Sequence, residues 1–181
     1  MFNHVYAFAS ADFDDEQGSS YDYDGNYSYP GYPRFTDYTI EKTKNNTIKN
    51  NVELLNAFDY ANKNKKNVHL IGLASNGGVH SHINHLKGLC SLAKEKNVAN
   101  VYIHAFTDGR DCDPKSGKGF LENLEQHCNQ TTGKIASIVG RYYAMDRDKN
   151  WDRIQKAYDV LVGSDSTNYE TASAGVLASY E

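Results

Sequence analysis

Residues 68–82 read VHLIGLASNGGVHSH, and this stretch decides the fold. Its first seven residues form a short, nearly continuous apolar run, the pattern of a strand buried on both faces. The run stops at Ser75-Asn76-Gly77-Gly78, where glycines let a backbone turn sharply or approach a ligand closely. From Ile83 the apolar period becomes helical, through Leu86, Leu89, Cys90 and Ala93. A strand, a glycine loop and a helix in that order make up one unit of a parallel sheet.

The same alternation continues outward. Upstream, Val52, Leu55, Phe58 and Ala61 recur at helical spacing before the Asn- and Lys-rich residues 62–67. Downstream, VYIHAF (101–106) and IASIV (135–139) read as two further strands. Between them, Phe120, Leu121, Leu124 and Cys128 mark a helix, and after the second of them Trp151, Ile154, Ala157, Tyr158 and Leu161 mark another. Thr167 to Glu170 fits a capping box before a last helix that is still running at Glu181, as in a piece of something larger. The expected fold class is α/β, a parallel-type sheet covered by helices.

Residues 1–33 differ in kind. They hold six acids (Asp12, Asp14, Asp15, Glu16, Asp22, Asp24), no Lys or Arg, and YDYDGNYSYPGYP interleaves Tyr with Asp, Gly, Ser and Pro. So little aliphatic surface cannot offset chain entropy, and the composition predicts a flexible acidic tail over 1–33 and a folded domain over 34–181. This dilution also explains an apolar fraction of 39%, low for a globular domain. All 19 Lys and Arg fall after the tail, against the 17 acids left when its six are subtracted from 23, so the folded part carries a formal +2.

Composition excludes several classes. A net charge of -4 argues against a broadly basic nucleic-acid binder. No apolar run reaches the length of a membrane span, and the N-terminus lacks the basic and apolar regions of a signal peptide. Cys90, Cys112 and Cys128 are widely spaced, with no CxxC pair; reduced thiols in a cytoplasmic protein are expected. Asn-x-Ser/Thr at Asn26, Asn45 and Asn129 is expected by chance in so Asn-rich a chain. There is no GxGxxG, no GxxxxGK[ST] and no Gly-x-Ser-x-Gly.

The chemistry lies in the loops after the strands. They read SNGGVHSH (75–82), TDGRD (107–111) and GRYYAMDRD (140–148). In an open parallel sheet, ligands bind beyond the carboxyl ends of the strands. Each loop presents His or Arg soon after its Gly, so His80, Arg110, Arg141 and Arg147 should converge with Asp111 beside them. Guanidinium forks grip carboxylate and phosphate oxygens in bidentate fashion, which points to a small, doubly anionic ligand. A carboxylate among them can accept a proton from a ligand hydroxyl. The structural alternative for Arg141 is an ion pair with Asp146 or Asp148. His80, His82 and His85 do not have the spacing of a metal cluster on one helical face, so His82 and His85 are expected to be helix-surface or packing residues.

GLASNGGVHSHINHL, YIHAFTDGRDCDPKSGKGFLENLE and IASIVGRYYAMDRDKNWDRIQKAYDVLV together resemble the phosphotransferase domain of cofactor-independent (2,3-bisphosphoglycerate-independent) phosphoglycerate mutase, over about residues 34–181. The resemblance implies a glycolytic and gluconeogenic isomerase interconverting 3-phosphoglycerate and 2-phosphoglycerate. Family members have a second, alkaline-phosphatase-like domain with a phosphorylated serine and two divalent ions, manganese or magnesium. No residue of this chain is expected to bind metal. Carried over motif by motif, the resemblance makes His80, Arg110, Asp111, Arg141 and Arg147 substrate-binding. It makes Asp111 the catalytic proton acceptor for the glycerate hydroxyls.

Two positions depart from the family pattern: Asn76 stands where Asp is frequent, and Asn150 where Arg usually follows DRDK. The nucleophilic serine segment and the Asp/His metal motifs of the second domain have no counterpart in 1–181. The expected protein is therefore a fragment of such a mutase, supplying the glycerate-holding half of the cleft and inactive by itself. It is expected to be cytoplasmic and monomeric, with a small-molecule substrate and no nucleic-acid or membrane partner. A non-catalytic phosphoglycerate-binding module is the alternative, and an interaction protein using the Tyr-rich tail is the third.

Overall fold

The structure, a computed structural model, describes residues 4–9, 47–163 and 167–180, and the side chains of 48–163 and 167–180. Four strands form one sheet in the order β1 (His4–Ala9), β2 (Asn67–Ala74), β3 (Val101–Thr107) and β4 (Lys134–Gly140), each pair parallel. A 3-10 turn (Thr47–Asn50) leads into helix α1 (Val52–Asn64). Helix α2 (Ile83–Glu95) follows β2, and α3 (Gly117–Gln130) follows β3. The short α4 (Arg141–Ala144) leaves β4 directly, before α5 (Trp151–Val162) and α6 (Ala172–Ala178). The three expected strands and the helices between them are all present.

The composition of residues 1–33 predicts a tail throughout, yet His4–Ala9 pairs with β2 in register from His4↔Asn67 to Ala9↔Gly72. HVYAFA is the least acidic and most apolar piece of that segment. Averaging it with the acidic residues behind it conceals a six-residue run long enough for an edge strand. The acidic, Tyr-rich remainder of the expected tail lies outside the described residues.

One face of the sheet carries the main core. Val68, Leu70 and Ala74 of β2 and Val101, Ile103 and Ala105 of β3 pack with Phe58 and Ala61 of α1, Leu86, Leu89 and Cys90 of α2, Leu121 and Leu124 of α3, and Val176 of α6. This alternate-residue pattern is the period-two signature of one strand face. β2 is thus not uniformly buried as its apolar run predicts: His69 and Ile71, on its other face, are half-buried. There His69 Nδ1 and His104 Nε2 lie 2.8 Å apart, and His104 Nδ1 bonds Ser137 Oγ at 2.7 Å. A register shift between Ile103 and His104 passes over Ala136 and brings Ser137 opposite His104. Burial lowers the His104 pKa.

The helix ends follow local chemistry. Asn51 caps α1 by accepting from Leu54 N at 3.0 Å. His82 caps α2: its Nδ1 accepts from Asn84 N, while His85 Nδ1 accepts from His82 N, a capping box made of two histidines. The last helix begins later than the 167–170 capping box predicts. Thr171, not Thr167, is its N-cap, accepting from Ala174 N at 3.1 Å, and Glu125 of α3 accepts from Ala172 N at 2.9 Å. A carboxylate reaching across from α3 fixes that start, which no local pattern could show.

Candidate functional site

The strand register assembles the site. Ala74 of β2 pairs with Thr107 of β3, and Thr107 with Gly140 of β4. The next residue of each strand, Ser75, Asp108 and Arg141, therefore stands in one row just beyond the carboxyl edge. All three meet. Ser75 Oγ donates to Asp108 Oδ2 at 2.6 Å, and Arg141 Nη1 donates to Asp108 Oδ1 at 2.9 Å.

Asp108 is the hub of this row. Its side chain is only 1% exposed. Its Oδ1 also accepts from the backbone amides of Gly109, Arg110 and Asp111 at 2.9–3.1 Å. An aspartate that satisfies the amides just after it folds its own loop into a compact turn. Gly109, at φ +124°, supplies the backbone angle that turn requires. Burial by itself would raise the Asp108 pKa; the bonds from Ser75, the Arg110 and Asp111 amides and Arg141 outweigh it and hold the carboxyl well below the usual range.

The turn delivers Asp111 to the site. Its Oδ2 accepts from Arg141 Nη1 at 2.5 Å and lies 3.7 Å from His80 Nε2. Arg141 is 11% exposed at its side chain. Burial opposes its charge, but the bonds to Asp111 and Asp108 prevail and raise its pKa. Both bonds leave from Nη1. A guanidinium has five N–H donors, and among the described residues Nε and Nη2 have no hydrogen-bond partner. The first glycine loop presses against this group: a Cβ on Gly77 would lie 2.8 Å from Asp111 O and 2.9 Å from its Cβ. Only glycine permits that approach.

Of the residues expected from sequence, His80, Asp111 and Arg141 are brought together. Arg110 and Arg147 are exposed, and among the described residues neither side chain has an ion pair or hydrogen-bond partner. The structural alternative for Arg141 also resolves differently from expectation. Its partners are Asp108 and Asp111, whereas Asp146 is engaged by Asn150 and Arg153. Asn150 Nδ2 and N both donate to the Asp146 carboxylate, at 2.8 and 2.9 Å, and these bonds depress its pKa. The Asn at this position thus closes the 146–150 turn that displays Arg147. Ser75 and Asp108 were legible only as loop residues. The one available signal was an Asp opening a Gly-containing turn directly after a strand.

Among the described residues no group of three or more His, Cys, Asp or Glu could hold a metal ion, and no helix is long and apolar enough to cross a membrane.

This is a parallel α/β domain in which Arg141, Asp108, Asp111 and His80 gather at the carboxyl edge of the sheet. Residues 40–181 match the family described as the BPG-independent PGAM N-terminus, and the chain belongs to that family. It is 60% identical over 119 residues to the 2,3-bisphosphoglycerate-independent phosphoglycerate mutase of Bacteroides fragilis, covering 66% of this chain and 24% of that protein. To the protein of the same name from Clostridium kluyveri it is 48% identical over 151 residues, covering 83% of this chain and 30% of that one. Among solved structures, the phosphoglycerate mutase of Leishmania mexicana, crystallised at low cobalt concentration, matches with a TM-score of 0.70 and 26% identity, over 79% of this chain and 27% of that one. The chain spans about a quarter of the length of these relatives.

Proposed function

We propose that this chain is the glycerate-holding portion of a 2,3-bisphosphoglycerate-independent phosphoglycerate mutase, acting on 3-phosphoglycerate and 2-phosphoglycerate. The observation that carries this is the juxtaposition of Asp111, His80 and Arg141 at the sheet edge; Arg110 and Arg147, exposed in the loops after β3 and β4, are the further cations the reading calls on. Both substrates carry a carboxylate and a phosphate, which suits several guanidinium groups.

Arg141, held rigidly from Nη1, offers its remaining N–H donors to the substrate carboxylate. Arg110 and Arg147 close on the remaining anionic oxygens. Asp111 accepts the proton of the glycerate hydroxyl that is to be rephosphorylated, and His80 steadies the ligand from the opposite loop. The phosphorylated group and two divalent ions, manganese or magnesium, belong to the portion of the relatives that this chain does not span. The residues described here do not form such a metal centre. The setting proposed is cytoplasmic and the chain monomeric.

Calorimetric titration of the chain with 3-phosphoglycerate tests this. Binding is expected without turnover in a coupled enolase assay. Arg110→Ala and Arg147→Ala should each weaken binding about tenfold or more, the worth of one charge-assisted hydrogen bond. Both should leave the melting temperature unchanged, because among the described residues neither side chain has a partner to lose. Binding that is absent, or indifferent to both substitutions, would refute the assignment.

A further inference from the structure

We propose that Ser75 and Asp108 are positioning residues. They hold Arg141 and the 109–111 turn in the geometry that receives a doubly anionic ligand, without touching that ligand themselves. The proposal deepens the function given above and rests on it for the identity of the ligand.

Both residues are sealed from solvent: Ser75 is 0% exposed and the Asp108 side chain 1%. Neither can be a ligand contact, yet the Gly77 loop, the 109–111 turn and Arg141 are all tied to them. Asp108 Oδ1 gathers the Gly109, Arg110 and Asp111 amides and Arg141 Nη1. Its Oδ2 is pinned by Ser75 Oγ, which in turn accepts from Gly77 N at 3.0 Å. The carboxylate thus fixes the second and third loops, and the serine fastens the first loop to both.

Charge and shape make opposite demands, so the role can be read from the sign of an effect. A buried negative charge beside the site repels an anionic ligand. If Asp108 acted only through its field, removing that charge would tighten binding. If it acts by positioning, Asp108→Asn releases Arg141 and loosens the turn, and binding weakens although the repulsion is gone. Ser75→Ala leaves the charge in place and removes only the fastening, so a field effect predicts no change there.

The test is titration of the 181-residue chain and its Ser75→Ala and Asp108→Asn variants with 3-phosphoglycerate. It is read together with the side-chain Nε–Hε resonance of Arg141 in the ligand-free protein. Positioning predicts binding about tenfold weaker for Asp108→Asn and about threefold weaker for Ser75→Ala, per folded molecule. It also predicts a shifted or broadened Arg141 resonance in both. Tighter or unchanged binding by Asp108→Asn overturns it. Should Asp108→Asn not fold, Ser75→Ala decides alone: an unaltered affinity or an unmoved Arg141 resonance overturns the proposal. Should the wild-type chain bind no 3-phosphoglycerate, the assignment of function fails, and the Arg141 resonance still decides whether these two residues position it.

Discussion

Gly77→Ala is a sharp probe of the site because one methyl group meets backbone. Its Cβ would stand 2.8 Å from the carbonyl oxygen and 2.9 Å from the Cβ of Asp111, and ordinary contact begins at 3.4 Å. The two loops must therefore part by ~0.6 Å, the difference between those contacts. No flexible side chain can absorb the shift, since the atoms met are Asp111 backbone and Cβ. Overpacking of this kind costs about 1–3 kcal/mol. For a chain of this size that lowers the melting temperature by roughly 2–4 °C per kcal/mol. The displacement is aimed at Asp111, so the Arg141–Asp111 bond is strained as well and affinity for 3-phosphoglycerate should fall. Gly119→Ala is the internal control. Nothing lies within 4 Å of its Cβ, and replacing a helical glycine there should stabilise the chain by up to about 1 kcal/mol. Thermal denaturation and ligand titration of the two variants read both effects. A Gly77→Ala protein with wild-type stability and affinity would refute the claim that this glycine is required by the approach of the loops.

Two further outcomes are expected. Burial, with a smaller contribution from the neighbouring His82, lowers the His85 pKa from 6.5 to about 4. The unfolded chain therefore binds more protons between those values, so stability is full above about pH 6.5 and declines as pH falls towards 4. His85→Gln, which can keep the capping bond to His82 N, should make denaturation midpoints fall less steeply across that window; an unchanged slope would exclude His85 as a source. Arg141→Ala removes the cation from a carboxylate that is 1% exposed. It should destabilise the chain by about 3–5 kcal/mol, as breaking a buried pair does, with Arg141→Lys recovering part of this; equal stability of all three proteins by chemical denaturation would contradict the buried pairing.

The alternation of strands and helices is legible along the chain. A nearly continuous apolar run, a glycine loop and a change to helical period, repeated along one chain, leave little besides a parallel α/β sheet. The sequence also points His80, Arg110, Asp111, Arg141 and Arg147 to one edge, because the segments that follow parallel strands share an edge. It could not show β1, a six-residue run masked by its acidic surroundings, or the start of α6, which Glu125 fixes from another helix.

Nor could sequence say which charged groups would be free and which would be spent on one another. That depended on register. Pairing of Ala74 with Thr107 and of Thr107 with Gly140 brings Ser75, Asp108 and Arg141 into one row. A register one residue different would turn the side chains to the other face of the sheet. The fold therefore made Asp108 a buried hub and Arg141 a guanidinium anchored at Nη1, and among the described residues left Arg110 and Arg147 without ion-pair partners. An ion pair needs two groups within a few ångströms, and these partners lie thirty or more residues apart along the chain.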